Sequence, residues 1–248
     1  ISTMAMVLAM SLGLVLSLIR LYGPAPARAA TTAYIEVVRG TPVLLQLYVL
    51  YYGIASYVNL GPFTAAVIGL GTGMTAKAVA AFPFKEIEVL EIEPAMIKSA
   101  RFFDTKNGEV LKDPRVRIIP TDGRNYILAT PKVYDVITAE PSNPWIAGIA
   151  NLYTREFYEV IKSKLKPGGV FAQWFHNYSM SPDDFRMVFR TFAQAFPHVS
   201  VWGMRESDFL MVGTQQEQSF DYPRLKEVFA NNKTLREDFT ELGLTDPY

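Results

Sequence analysis

The chain has 248 residues, of which 24 are basic, 24 are acidic and half are apolar. The balanced charge excludes the strongly basic surface typical of nucleic-acid-binding proteins, so we expect no nucleic-acid partner. Cysteine is absent, which excludes disulfides, thiolate zinc sites and a cysteine nucleophile. The two histidines, His176 and His198, are too far apart in the sequence to suggest a metal site, and we predict no metal.

The first sixty residues differ in composition from the rest of the chain. Residues 4–19 and 41–60 contain no charged side chain, and such stretches are typical of membrane helices of about twenty residues. A signal peptide is the alternative for the first stretch. We therefore expect residues 1–60 to be a transmembrane segment with one or two helices. The protein would be membrane-associated through this segment, with the following domain on the cytoplasmic side.

From residue 61 onward, short apolar strands alternate with amphipathic helices. The pattern predicts strands at residues 64–68, 87–90, 116–119, 134–139, 170–175, 199–202 and 209–212. It predicts helices at residues 75–81, 154–165 and 182–195, and another that begins at Pro94. This order is typical of an α/β fold with a seven-stranded, methyltransferase-like (Rossmann-like) doubly wound sheet. The polar residues after Gln215 predict no element.

The first predicted strand ends in a turn with alternating glycines, Gly69, Gly71 and Gly73. Glycine permits a sharp turn and a close approach of the backbone to a ligand. Glu91 ends the second strand, where its carboxylate can accept hydrogen bonds from both hydroxyls of a ribose. The dinucleotide fingerprint has the spacing G-x-G-x-x-G, and this turn lacks its third glycine. The difference favours a sulfonium nucleoside such as S-adenosylmethionine over NAD. The alternative is a glycine-tightened turn that binds no ligand.

Two further acidic residues follow predicted strands at the same edge of the sheet. Asp122 ends the third strand, where it could accept a hydrogen bond from the amino group of an adenine, and Gly123 would leave room for the ring. Glu140 ends the fourth strand. For each acid the alternative role is to cap the helix that follows.

Two parts of the chain resemble known families. Residues 34–46, in which an Arg-Gly-Thr-Pro turn precedes an apolar run, resemble the early part of polar amino-acid ABC transporter permeases. This resemblance covers residues 1–60. The second resemblance, to the spermidine synthase family and most closely to its membrane-fused branch, covers about residues 61–213. It rests on motifs that occur in order at residues 67–73, 89–94, 113–116, 122–124, 134–137, 140–145, 153–158 and 165–169.

The spermidine synthase resemblance implies transfer of an aminopropyl group from decarboxylated S-adenosylmethionine to a diamine such as putrescine. Glu140 occupies the position where the family has an aspartate that acts as general base. Asn143 stands where a second aspartate usually holds the ammonium group of the substrate, and an amide offers a hydrogen bond without a charge. The small N-terminal β-domain of such synthases is replaced here by residues 1–60. A homodimer is an assembly that the resemblance allows.

We therefore expect two domains, a permease-like segment over residues 1–60 and a nucleoside-binding domain over residues 61–248. Two other functions stay open, an S-adenosylmethionine-dependent methyltransferase and a membrane amino-acid transport component with a degenerate nucleoside-binding domain. Trp145, Trp174 and Trp202 are expected in the core or in a pocket wall. His176 is expected at the surface or as a satisfied core residue, with a place facing the pocket as the alternative.

Overall fold

The computed structural model describes residues 63–205, 207–218 and 222–241, together with Pro24. The strands in these ranges are β1 (Phe63–Ile68), β2 (Phe84–Glu91), β3 (Val116–Pro120), β4 (Tyr134–Ala139), β5 (Leu165–His176), β6 (His198–Arg205) and β7 (Asp208–Thr214). The α-helices are α1 (Met74–Ala80), α2 (Pro94–Ser99), α3 (Asp104–Asn107), α4 (Gly123–Ala129), α5 (Arg155–Ser163), α6 (Pro182–Ala195), α7 (Tyr222–Asn231) and α8 (Lys233–Glu241). Short 3-10 helices are formed by Ala100–Phe103, Val110–Lys112 and Ile149–Tyr153.

The seven strands form one sheet in the order β3-β2-β1-β4-β5-β7-β6. Strands β1 to β5 pair in parallel, whereas β7 runs antiparallel to both β5 and β6. The chain moves outward from β1 to β3 and then returns to place β4 on the other side of β1. The switch point between β1 and β4 is where doubly wound sheets bind their ligands, outside the carboxyl ends of the strands. The predicted seven-stranded α/β sheet is therefore confirmed.

Side chains of the sheet alternate between two apolar cores, one on each face. The first face, which we define by the buried Val67, Val136 and Ala172, packs against α1, α7 and α8. The second face, defined by Ile137 and Phe171, packs against α4, α5 and α6. Because helices cover both faces, the central strands read as nearly continuous apolar runs. The alternation also determines which helices a residue at the end of a strand can meet.

Several helices begin directly after a side chain that caps them. Thr154 accepts a hydrogen bond from the Phe157 N–H at the start of α5, and Ser181 accepts one from the Asp184 N–H at the start of α6. Pro182 fills the first position of α6, where its missing N–H removes no helical hydrogen bond. These signals are local, which explains why the predicted bounds of α6 agree with the structure.

A buried carboxylate fastens β2 to the elements beside it on the second face. Glu88 is 1% exposed, and it accepts hydrogen bonds from Tyr126 at 3.1 Å, Tyr134 at 2.7 Å and Lys132 at 2.8 Å. Burial acts to raise the pKa of Glu88, but these hydrogen bonds outweigh it and hold the pKa below its usual value. Both oxygens of the buried carboxylate therefore have hydrogen-bond partners, and the cluster has a structural role.

The structure differs most from the predicted elements in three places. The helix that begins at Pro94 ends at Ser99 and continues as a 3-10 helix and then as α3. Strand β5 begins at Leu165, whereas we predicted a strand from residue 170 and a helix that extends to residue 165. Helices α4, α7 and α8 were not predicted.

The two uncharged stretches, residues 4–19 and 41–60, lie outside the described residues, as does the permease-like motif at residues 34–46. Within the part of the chain that the structure describes, no helix is both long and apolar enough to cross a membrane. The predicted membrane helices are therefore not part of the described fold.

Candidate active site

The turn between β1 and α1 has the backbone conformation that its glycines permit. Gly69, Gly71 and Gly73 have φ values of 98°, 52° and 87°, in the left-handed region that other residues rarely adopt. A Cβ atom added at Gly69 or Gly71 would meet no heavy atom within 4 Å. The backbone of this turn is therefore open to a close approach by a ligand.

Asn107 anchors the same turn from the side of α3. Its side chain is 0% exposed, and its Nδ2 donates to the carbonyl oxygens of Thr72 at 2.9 Å and Ala100 at 3.0 Å. A Cβ atom at Gly73 would lie 3.0 Å from this Nδ2. Sequence reasoning missed Asn107 because its partners, Thr72 and Ala100, lie 35 and 7 positions away in the chain.

Glu91 ends β2 and is 7% exposed. Its Oε2 accepts a hydrogen bond from the Leu70 N–H at 2.9 Å, and its Oε1 accepts one from the Glu93 N–H at 2.9 Å. The carboxylate therefore holds the glycine turn in place, a role that we did not predict. Each carboxylate oxygen can accept a second hydrogen bond, so the predicted contact with a ribose is compatible with this arrangement.

Asp122 caps α4, as the alternative interpretation of this residue stated. Its Oδ1 accepts a hydrogen bond from the Asn125 N–H at 2.8 Å, which leaves Oδ2 for the predicted contact with an adenine. Gly123 has a packing role as well, because a Cβ atom there would lie 2.7 Å from Cγ2 of Ile68. The absence of a side chain lets the first residue of α4 lie against the end of β1.

Glu140 follows β4 and is directly connected to the helix that the glycine turn begins. The Thr75 hydroxyl, in the first turn of α1, donates to its Oε1 at 2.8 Å. Burial raises the pKa of Glu140 to about 7, although the hydrogen bond from Thr75 opposes the shift. A carboxylate with such a pKa is suited to accept a proton near neutral pH. Thr75 was not predicted as a site residue, since nothing local to it indicates the partner.

Asn143 lies in the loop after β4 and is half-buried. The Tyr153 hydroxyl holds this loop through hydrogen bonds to the carbonyl oxygens of Pro141 at 3.2 Å and Ser142 at 3.0 Å. The backbone carbonyl of Asn143 accepts from the Ile146 N–H at 3.1 Å. Among the described residues its side-chain amide has no hydrogen-bond partner, so it can contact a ligand.

His176, at the end of β5, contradicts our expectation of a surface or satisfied core residue. It is 0% exposed, and neither ring nitrogen has a hydrogen-bond partner among the described residues. Its imidazole stacks on Tyr178, with ring centroids 3.5 Å apart and an interplanar angle of 7°. Trp174 and Trp145 complete the surroundings, with centroids at 5.0 Å and 5.4 Å. Trp145 and Trp174 thus contact the buried imidazole, whereas their predicted place in the core or in a pocket wall stays a prediction.

The described residues include no group of three or more His, Cys, Asp or Glu side chains placed to hold a metal ion.

Comparison with known proteins identifies a polyamine-related family. The chain is 26% identical over 180 residues to polyamine aminopropyltransferase 2 of Aquifex aeolicus, a match that covers 66% of this chain and 34% of that protein. The matched part makes up between 20% and 63% of the length of curated relatives with such names. The chain thus corresponds to only part of these relatives.

Solved structures have the same fold. A spermidine synthase solved with the transition state analogue AdoDATO superposes with a TM-score of 0.63 at 19% identity, covering 76% of this chain and 67% of that chain. Human methyltransferase-like protein 13, solved with SAH, gives 0.61 at 21% identity, covering 80% and 92%. At these identities the likeness establishes the methyltransferase-like fold alone.

Our expectation of a membrane-associated protein is wrong. The relatives are polyamine aminopropyltransferases, and the described part of the chain contains no helix that could span a membrane. Within the described residues from position 63 onward, the apolar side chains lie in short strands and amphipathic helices, which bury them in two cores.

The prediction of the family is confirmed by a match that covers more than half of the chain. The spermine/spermidine synthase domain matches residues 53–204, which include the glycine turn, Glu91, Asp122, Glu140 and Asn143. The chain therefore belongs to the spermine/spermidine synthase domain family.

Proposed function

We propose that this protein is an aminopropyltransferase of polyamine biosynthesis, which moves an aminopropyl group from decarboxylated S-adenosylmethionine to a diamine such as putrescine. The observation that carries the proposal is the hydrogen bond from Thr75 to Glu140. It connects a carboxylate whose pKa is about 7 to the helix that follows the glycine turn. A nucleoside site and a group able to accept a proton are thereby adjacent at the switch point of the sheet.

The nucleoside part of the donor would be held by the residues predicted from the sequence. Open space above Gly69 and Gly71 fits a ligand that lies against the backbone. The free lone pairs of Glu91 suit ribose hydroxyls, and the second oxygen of Asp122 suits the amino group of an adenine. When bound, the sulfonium donor supplies an electrophilic carbon to the site. The remaining two proposed binding residues, Gly73 and Gly123, shape the turn and the start of α4.

Glu140 acts on the acceptor. An aliphatic amine is an ammonium ion near neutral pH and must lose a proton before its nitrogen can attack. With a pKa of about 7, Glu140 is ionised in about nine molecules of ten at pH 8 and can take this proton. The Thr75 hydroxyl orients the carboxylate, and the amide of Asn143 accepts a hydrogen bond from the acceptor.

We further propose that residues 61–248 form the domain that performs this reaction and that residues 1–60 form a separate segment. The family match begins at residue 53 and so supports a division close to this position.

The experiment uses the full chain at pH 8. The protein is incubated with decarboxylated S-adenosylmethionine and putrescine, and mass spectrometry measures methylthioadenosine and the aminopropylated diamine. A second arm offers intact S-adenosylmethionine and measures S-adenosylhomocysteine. The variant Glu140→Gln tests the role of Glu140 as the base. The matched control is Glu156→Gln, because Glu156 is an exposed residue of α5, which covers the opposite face of the sheet.

We expect equal amounts of the two products in the first arm, their loss in Glu140→Gln, and their retention in Glu156→Gln. Binding of the decarboxylated donor without either product would refute the proposal. Methyl transfer in the second arm alone would identify a methyltransferase instead.

A further inference from the structure

The buried imidazole of His176 has no role in the reaction described so far. Leaving a polar group buried without a hydrogen bond destabilises the fold, and neither ring nitrogen of His176 has a partner among the residues that the structure describes. A buried polar group of this kind indicates a partner that is bound only part of the time. The position of the ring in the sheet suggests what the partner is.

We propose that His176, with the rings of Trp145, Trp174 and Tyr178 around it, forms the subsite for the distal amine of the acceptor, the amine that does not react. This inference rests on the proposed function and names a binding site for that reaction. The ligand class is an aliphatic primary amine in its ammonium form.

Glu140 and His176 lie on the same face of the sheet. Val136 on β4 and Ala172 on β5 belong to the core of the first face, and each is separated by an even number of residues from Glu140 and His176, respectively. Side chains two or four residues apart on a strand point to the same side. The hydrogen bond between Glu140 and Thr75 of α1, a helix of the first face, agrees with this assignment.

The two residues are also close along the edge of the sheet. Ala139 is the register partner of Gln173, so Glu140 is level with the residue that follows Gln173. His176 lies two residues further along β5. Ideal sheet spacings of about 4.8 Å between strands and about 3.3 Å per residue would place the Cα atoms of Glu140 and His176 about 8 Å apart. A short aliphatic diamine can bridge two side chains at this separation.

The chemistry of the ring suits an ammonium group. Burial lowers the pKa of His176, and the nearby carboxylate of Asp208 opposes the shift. A neutral imidazole carries one nitrogen that accepts a hydrogen bond, which an ammonium N–H can donate. Asp208 is the register partner of His176 on β7, so its negative charge also favours a cation at this position.

The surrounding rings contribute in the same direction. The faces of indole and phenol rings attract cations, and more strongly when the site is desolvated. Trp145 is 48% exposed and Tyr178 is 45% exposed. These two rings therefore lie between the imidazole and the solvent, at the place where an acceptor would enter.

The test uses the full chain and three variants. His176→Phe keeps an aromatic ring but removes both nitrogen atoms, and His176→Gln restores one hydrogen-bonding carbonyl group. His198→Phe is the control. His198 is the first residue of β6, and its register partner Thr214 also pairs with Val170. Val170 lies six residues before His176 on β5, so His198 is distant from the proposed subsite.

Initial rates are measured with putrescine and with butylamine, which has the same carbon chain and only one amine. Calorimetry measures the binding of putrescine in the presence of methylthioadenosine, and the binding of the donor by itself. We expect His176→Phe to raise the KM and Kd for putrescine by about tenfold to a hundredfold. The kcat, the donor affinity and the values for butylamine should change by less than about threefold. His176→Gln should recover part of the affinity, and His198→Phe should match the unchanged protein.

The proposal is overturned if His176→Phe leaves the binding of putrescine unchanged, or if butylamine loses as much affinity as putrescine. It is also overturned if the unchanged protein does not bind putrescine. If putrescine binds through His176 but no aminopropyl group is transferred, the subsite stands and the proposed reaction fails. An increase in the Tm of the unliganded His176→Phe variant would agree with the removal of two unpaired nitrogen atoms.

Discussion

The hydrogen bond between Thr75 and Glu140 permits a quantitative prediction about pH. Thr75→Val removes the hydroxyl group while keeping the shape of the side chain. A hydrogen bond to a charged group is worth about 1.5–3 kcal/mol, which corresponds to about one to two pKa units. Burial has already raised the pKa of Glu140 to about 7, and the bond from Thr75 opposes this rise. The variant should therefore have a pKa of about 8–9 at Glu140.

The sign of the effect follows from the role of a base. Only the ionised carboxylate accepts a proton, so activity increases as the pH rises through the pKa of Glu140. At pH 7 the variant should be about five- to fiftyfold slower in kcat/KM than the unchanged protein, and the two should converge near pH 10. The assay is the pH profile of kcat/KM for the acceptor. Titration of the acceptor amine cancels because it is common to both proteins.

Thr191→Val is the matched control. The Thr191 hydroxyl donates to the Met187 carbonyl oxygen within α6, on the other face of the sheet, and its removal should leave the profile unchanged. The reasoning would be refuted if kcat/KM decreased over the same range of low pH in Thr75→Val and in the unchanged protein. A loss of the same size at every pH would refute it as well, because it would indicate misplacement of Glu140 and not a change in its pKa.

Three other predictions concern stability and donor binding. Because the folded state raises the pKa of Glu140 to about 7, the contribution of this group to stability falls as the pH rises from about 4.5 to 7. Glu140→Gln should therefore increase the free energy of unfolding at pH 8 by up to about 3 kcal/mol and change it little at pH 4. Urea titrations at both pH values would measure the difference. Lys132→Met should lower the free energy of unfolding at pH 7 by about 1–3 kcal/mol, because Glu88 loses a charged donor. Since the pKa of Glu88 is held below its usual value, this loss of stability should become smaller as the pH falls through that pKa. An equal loss of stability at low pH would contradict the role of Lys132 as the partner of ionised Glu88. Asn107→Ala should weaken donor binding by about tenfold in calorimetry, because the glycine turn loses the hydrogen bond from Asn107 to the Thr72 carbonyl. An unchanged donor Kd would show that the turn keeps its shape without Asn107.

The elements that the sequence predicted well are those with strong local signals. Strand β4 and helix α6 have the predicted bounds, because each combines a clear apolar period with a turn or a capping residue at its end. Helices α7 and α8 were missed because polar residues are interspersed through α7 and make up most of α8. The few apolar residues that fix them in the core, Phe229, Leu235 and Phe239, depend on contacts with distant parts of the chain.

The candidate site divides in the same way. Glu91, Asp122 and Glu140 could be found because each follows a strand, and parallel strands end at one edge of the sheet. Their partners could not be found, because Thr75 meets Glu140 across 65 positions of the chain. The burial of His176 likewise depends on rings from different segments. The roles assigned to these residues in catalysis and binding, the division near residue 61 and a homodimer stay predictions.

The most direct test of the account is the rate of a single turnover at pH 8. The 248-residue chain is saturated with decarboxylated S-adenosylmethionine and mixed with putrescine, and methylthioadenosine is followed by rapid quench in the unchanged protein and in Glu140→Gln. We predict that the variant binds the donor with unchanged affinity and reacts about a hundredfold or more slowly, because proton transfer to a positioned base contributes about that factor. A variant that reacts within about threefold of the unchanged rate would contradict the assignment of Glu140 as the base.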